Sequence, residues 1–149
     1  MPPATGDGSG LSVGERVAHE TRVTADDVAA FAGATGDASP LHTERAAAED
    51  AGFDGPVVHG ALLLGVAGGA LASLPGTPVL REQTATFERP AAVGDAVTAV
   101  CTLRERSRGG REHFDLRIEG PDGTVLVTGS VVAVWGTGDA TAPTKGKDT

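Results

Sequence analysis

The sequence predicts an α+β domain in which one antiparallel sheet curves around a single long apolar helix. Three observations carry that expectation. The run Val57 to Leu74 holds eighteen residues without a charged side chain, the hydrophobic period changes from helical to two after Pro78, and the last apolar segment, Thr124 to Trp135, is apolar on both faces. A chain of 149 residues can bury one such core and is too short for two domains of ordinary size.

In chain order, Arg16 to Val23 carries Val17 and Val23 among polar residues and reads as an edge strand. Thr24 precedes Ala25-Asp26-Asp27-Val28, an N-cap with acidic residues in the first turn, and Val28, Phe31 and Ala32 follow at helical spacing, so a short helix should run to about Gly33. The segment Gly36 to His42 is too rich in turn formers for regular structure, and Thr43 should begin a second short helix reaching about Asp50.

The uncharged run is bracketed by Pro56 and Pro75 and contains Gly65-x-x-x-Gly69, a pattern also seen in membrane helices, but His59, its many Gly and Ala residues and the acidic residues upstream argue for burial within a fold. Its glycines lower helix propensity, which is understandable if a sheet packs closely against them. Beyond it, Val79 to Glu88, Val97 to Arg104, His113 to Glu119 and Thr124 to Trp135 alternate as strands, with turns at Gly109-Gly110 and Pro121-Asp122-Gly123. The final strand should be central. A curved sheet around one helix is the hot-dog fold, and the two-faced strand implies that a second copy covers the sheet, giving a homodimer or higher homo-oligomer. Met1 to Ser12 and Gly136 to Thr149 contain almost no large apolar residue and are expected to be tails, leaving residues 13–135 as the domain.

Composition excludes several roles. With 12 Lys+Arg against 20 Asp+Glu the net charge is -8, which disfavours nucleic acid and anionic membrane partners. The single cysteine, Cys101, rules out an internal disulfide and a multi-thiolate zinc site, and its place in the alternation puts it in the core. The first residues lack a basic and an apolar stretch, so the expected compartment is the reducing cytoplasm.

Two clusters can carry chemistry. Asp37 and His42 lie five apart on a loop stiffened by Pro40, a spacing that can bring a carboxylate and an imidazole to one water molecule. Such a pair alone more often closes a turn. The second cluster, Pro56-Val57-Val58-His59-Gly60, opens the long helix, where the Gly60 amide, at the positive end of the dipole, can hold a developing oxyanion. Arg104, Arg106, Arg108 and Arg111 around the Gly109-Gly110 turn form a basic patch that can meet phosphates. His19 and His113 should face solvent from their strands. Asp37, His42 and His59 match no zinc spacing.

Taken together these motifs resemble the MaoC-like, (R)-specific enoyl-CoA hydratases. The run Phe31 to His42 is similar to the family signature, an aromatic residue followed by Gly-Asp-x-Asn-Pro-Ile/Leu-His. His59-Gly60 matches its His-Gly, and Phe87-Glu88-Arg89-Pro90-Ala91-Ala92-Val93-Gly94-Asp95 matches its Phe-x-x-Pro-x-x-x-Gly-Asp. The resemblance implies syn addition of water to a trans-2-enoyl-CoA, giving an (R)-3-hydroxyacyl-CoA, or the reverse. Asp37 and His42 would activate the water and the Gly60 amide would polarise the thioester carbonyl. Ser39, Pro40, Val58 and His59 would line the substrate. Apart from the resemblance, Arg104 and Arg106 of the basic patch are offered to the CoA phosphates, although solvated hairpin charges are the more common outcome. No metal or organic cofactor is implied, the CoA thioester being the substrate. Two positions depart from the family: Ser39 stands where Asn is usual, and Gly68 where a serine is frequent on the long helix. The other readings are a hot-dog acyl-CoA thioesterase and a non-catalytic acyl-CoA-binding subunit.

Overall fold

A computed structural model describes residues 8–135, so of the tails expected at 1–12 and 136–149, residues 1–7 and 136–149 lie outside the described residues. Five strands, β1 (Arg16–Arg22), β2 (Pro78–Phe87), β3 (Ala96–Ser107), β4 (Arg111–Glu119) and β5 (Val125–Trp135), form one antiparallel sheet in the order β1-β3-β4-β5-β2. Three helices, α1 (Ala25–Thr35), α2 (Arg45–Asp50) and α3 (Gly60–Ala72), lie between β1 and β2 in the chain, and α3 packs on the sheet's inner face. This is the α+β hot-dog architecture.

The strand alternation reads directly as burial. Val97, Ala99, Cys101 and Leu103 of β3 and Phe114, Leu116 and Ile118 of β4 all point into the core, where they meet Leu63, Val66, Ala67, Ala70 and Leu71 of α3. The two-faced strand β5 lies between β4 and β2, so it is interior, while the middle position of the sheet belongs to β4. Thr24 caps α1 with a reciprocal pair: the Asp27 N–H donates to Thr24 Oγ1 and the Thr24 N–H donates to Asp27 Oδ2. The Thr24 N–H first, and the Thr24 hydroxyl second, hold the Asp27 carboxyl below the usual carboxylate range. The helix ends at Thr35, two residues later than Gly33, because Gly36 takes the left-handed C-cap position at φ 85.

The eighteen-residue uncharged run is not helix throughout. Val57 pairs with Ala92 in an isolated antiparallel bridge and the Val58 N–H donates to Ala91 O, so α3 starts only at Gly60 and is 13 residues long. Among the described residues no helix is long and apolar enough to cross a membrane. Its glycines divide into two sets. A Cβ on Gly69 would come 2.7 Å from the His19 ring and one on Gly60 would come 2.8 Å from the Phe87 ring, the close approach expected of glycine. Gly65 and Gly68 instead face open space, with nothing within 4 Å of a Cβ.

His19 therefore faces α3 rather than solvent, because the register of β1 on β3 turns its odd-numbered residues inward. His113 bonds Ser107 Oγ through Nε2 at 2.8 Å. At the N-terminus, Ser9 is buried: its hydroxyl donates to Glu112 Oε1 and its N–H to Glu112 Oε2. Part of the expected tail thus packs on the domain, held by a buried carboxylate that needed donors.

Cys101 is fully buried and desolvation pushes its thiol up to about 11. A maleimide at pH 8 should leave the native protein unlabelled and modify it stoichiometrically in denaturant, as read by intact mass. Labelling of the native protein at the denatured rate would contradict this packing.

Candidate active site

The site is assembled where the α1–α2 loop meets the N-terminus of α3. The Thr35 hydroxyl donates to Phe31 O and accepts the Asp37 N–H at 3.1 Å, and the His59 Nε2–H donates to the Asp37 carbonyl at 2.9 Å, so the Asp37 peptide is held from both sides. A 3-10 turn at Pro40–His42 follows, capped by Ser39, whose hydroxyl accepts the Leu41 N–H. The shorter serine at the family's Asn position thus serves the turn itself.

That turn aims His42 at Val57. A carbonyl only accepts, so the 2.7 Å contact between His42 Nδ1 and Val57 O fixes a proton on Nδ1, and in the neutral ring the lone pair is then on Nε2. Nε2 lies 3.9 Å from Asp37 Oδ2. At that separation the two groups do not bond each other, but one water at about 2.8 Å can contact both, its two bonds meeting at roughly 90°. His42 is nearly buried, and the Asp37 carboxylate, with 53% of its side chain exposed, opens outward. The His59 ring lies beneath His42, stacked at 3.8 Å and 26°.

Gly60 is the first residue of α3, after the N-cap His59, and among the described residues its N–H donates to no protein acceptor. It can serve an anionic oxygen beside the Asp37/His42 pair. Phe87, half exposed at the end of β2, covers the place a Gly60 side chain would occupy. A cavity of about 470 Å³ runs along α3 from Ala61, the residue after Gly60, and is lined by Leu64, Gly65, Gly68 and Ala72 and, from β2, by Leu80.

Asp37, His42 and His59 offer ligand atoms within 4.8 Å of one another. Zinc needs lone pairs converging at about 2.1 Å, whereas two face-to-face imidazoles project theirs along nearly parallel planes, and the His59 Nε2 proton is committed to a carbonyl. The set does not suit a shared ion.

The remaining site candidates divide. Pro40 and Ser39 sit exposed at the rim, whereas Val58 is buried with its N–H spent on Ala91. Arg104 and Arg106 are not brought to the site. Arg104 pairs with Asp115 at 3.2 Å and Arg106 with Glu112 at 3.1 Å, on a hairpin that pairs with the Trp135 end of β5, beside the C-terminal end of α3. Spacing along the chain placed these arginines in one patch without saying which end of the sheet carries it. The sequence also missed Val57, which acts through its carbonyl and so leaves no side-chain signal.

Fold and site together define a class, the hydratases and dehydratases of hot-dog fold. The chain belongs to the MaoC-like domain family, whose pattern matches residues 11–118. It is 38% identical over 127 residues to the (R)-specific enoyl-CoA hydratase of Aeromonas caviae, covering 82% of this chain and 93% of that protein. The solved structure of the (R)-hydratase from A. caviae superposes with a TM-score of 0.79 at 32% identity, covering 85% of this chain and 98% of that one. The 3-hydroxyacyl-thioester dehydratase Y of Mycobacterium tuberculosis is 35% identical over 121 residues, 76% of this chain and 41% of that longer protein.

Proposed function

We propose that the protein adds water to trans-2-enoyl-CoA to give (R)-3-hydroxyacyl-CoA, or catalyses the reverse dehydration, without a metal or organic cofactor. One observation carries the reading: a histidine fixed as a base at Nε2 faces a carboxylate across the width of a water, next to an unspent helix N-terminal amide. His42 takes a proton from the water, the oxygen attacks C3, and charge builds on the thioester oxygen held by the Gly60 N–H. The dyad returns the proton to C2 on the same face, so the atoms of one water are added syn. The test is loss of enoyl absorbance across acyl lengths with chiral analysis of the product. Release of free thiol without hydration, or binding without turnover, would overturn the reading in favour of a thioesterase or a binding subunit.

The acyl chain is assigned to the cavity along α3. It runs beside Ala61 to Ala72, about 16 Å at 1.5 Å per residue, which exceeds a four-carbon chain. Gly68→Leu should fill the open space at that position and lower kcat/KM for octenoyl-CoA by at least about tenfold relative to crotonyl-CoA. An unchanged ratio would remove the cavity from consideration. Val79, Leu80 and Phe87 are exposed on β2, an edge strand beside the open face of α3, which supports a homodimer whose second copy closes the trough. The reducing cytoplasm remains the expected setting for its free thiol.

A further inference from the structure

We infer that His59 is a positioning residue holding both members of the Asp37/His42 pair, and not a contact for substrate. The inference rests on the function proposed above. His59 is 1% exposed, so a substrate does not reach it. Its hydrogen bond and one ring face go to the two members of the pair, and its remaining ring contact goes to α1. Nε2–H donates to the Asp37 carbonyl at 2.9 Å, one ring face stacks on His42 at 3.8 Å, and the Phe31 ring packs against it at 4.7 Å and 51°. As N-cap of α3 it also immediately precedes the Gly60 amide. The water-activating pair and the oxyanion donor therefore share one pivot, which ties α1, the loop and α3 together.

A second observation separates this role from ordinary core packing. With its proton on Nε2, His59 keeps a lone pair on Nδ1, and among the described residues that buried atom meets no protein donor. An unsatisfied buried acceptor destabilises the fold, and an apolar residue of similar volume would avoid it. Packing alone gives no reason for an imidazole here. A donor on one edge and a flat face for His42 do, and stability is commonly lost where a site must be held rigid.

The test uses the full chain with His59→Gln, which keeps a donor and loses the flat face, and His59→Phe, which keeps the face and loses the donor. Phe31→Leu removes only the backing ring. Turnover of crotonyl-CoA is read as separate kcat and KM, melting temperature monitors the fold, and long-range proton–nitrogen NMR of the substrate-free protein reads the His42 tautomer. Each His59 variant should lose about 10- to 100-fold in kcat with KM within about twofold, because displacement of a reacting group by about 1 Å costs on the order of 100-fold. The His42 signal should change from a single Nδ1–H form to a mixture.

Folded variants with wild-type kcat and an unchanged His42 signal would overturn the inference. A raised KM at constant kcat would also overturn it, by making His59 a substrate contact. If neither His59 variant folds, Phe31→Leu decides: a loss of about 3- to 10-fold in kcat at constant KM is expected, and wild-type kcat with an intact His42 signal would refute it. Should the wild type hydrate no enoyl-CoA, the proposed function falls, and the NMR arm alone then judges the positioning role. There, an unchanged His42 signal in the folded variants refutes it and a tautomer mixture upholds it.

Discussion

His42→Ala is expected to lower kcat for enoyl-CoA hydration by about three orders of magnitude, and Asp37→Asn by about two to three, with the fold retained in both. The imidazole supplies the Nε2 lone pair that faces the carboxylate across a water, and its removal takes away the nitrogen placed to accept the water's proton. Asn at position 37 keeps the backbone contacts to Thr35 and His59 and loses only the charge and second acceptor of the carboxylate. The double variant should be hardly worse than His42→Ala, because both side chains act on one water. His42→Ala also orphans the Val57 carbonyl, so a lower melting temperature should accompany the kinetic loss in that variant alone. Initial rates and thermal unfolding measured together check this, and either variant retaining more than about a tenth of wild-type kcat would exclude the dyad from the chemistry.

Gly129→Ala should be the most damaging small substitution outside the site. Gly129 pairs with Ala85 where β5 meets β2, and a Cβ there would lie 2.0 Å from the Thr84 carbonyl oxygen and 2.8 Å from its carbon. Those are backbone atoms of a paired strand and have no rotamer to escape into, so the β2–β5 ladder must open locally. A cost of about 3 kcal/mol or more is expected, a large part of the 5–15 kcal/mol that stabilises a typical domain. Gly65→Ala provides the contrast, since its Cβ enters open space and helix propensity alone predicts a gain of up to about 1 kcal/mol. Denaturant midpoints for the two variants should move in opposite directions, and a Gly129→Ala midpoint equal to wild type would show the pairing there to be looser than described.

What the sequence made legible follows from which forces act locally. The inward set Phe114, Leu116 and Ile118 was readable because a strand's two faces alternate by necessity, and the Thr24 cap because its partner Asp27 is three residues away. The placement of Asp37 and His42 on one loop and of Gly60 at a helix start was readable because the loop and the helix start are themselves local features. The contacts that hold these residues were not. Val57 is joined to His42 by a carbonyl, and His59 reaches Asp37 across 22 positions. Facing was equally hidden at His19, whose inward turn is set by pairing with β3, and at Arg106, whose buried partner Glu112 is shared with Ser9. Register and long-range closure decide such contacts, and no spacing rule encodes them.

Trp135 turns the end of β5 into an optical probe. The chain has one Trp and no Tyr, so near-ultraviolet absorption and emission come almost wholly from this indole. It is buried, its Nε1–H donates to Pro75 O at 2.9 Å, and it packs on Gly76, where a φ of 86 admits no ordinary side chain. It lies past the C-terminal end of α3, roughly 20 Å from the Gly60 amide along a 13-residue helix. Emission should therefore change little with a four-carbon substrate, which ends well short of Ala72, and respond strongly when β5 leaves α3, letting turnover of crotonyl-CoA and unfolding be followed in one cuvette.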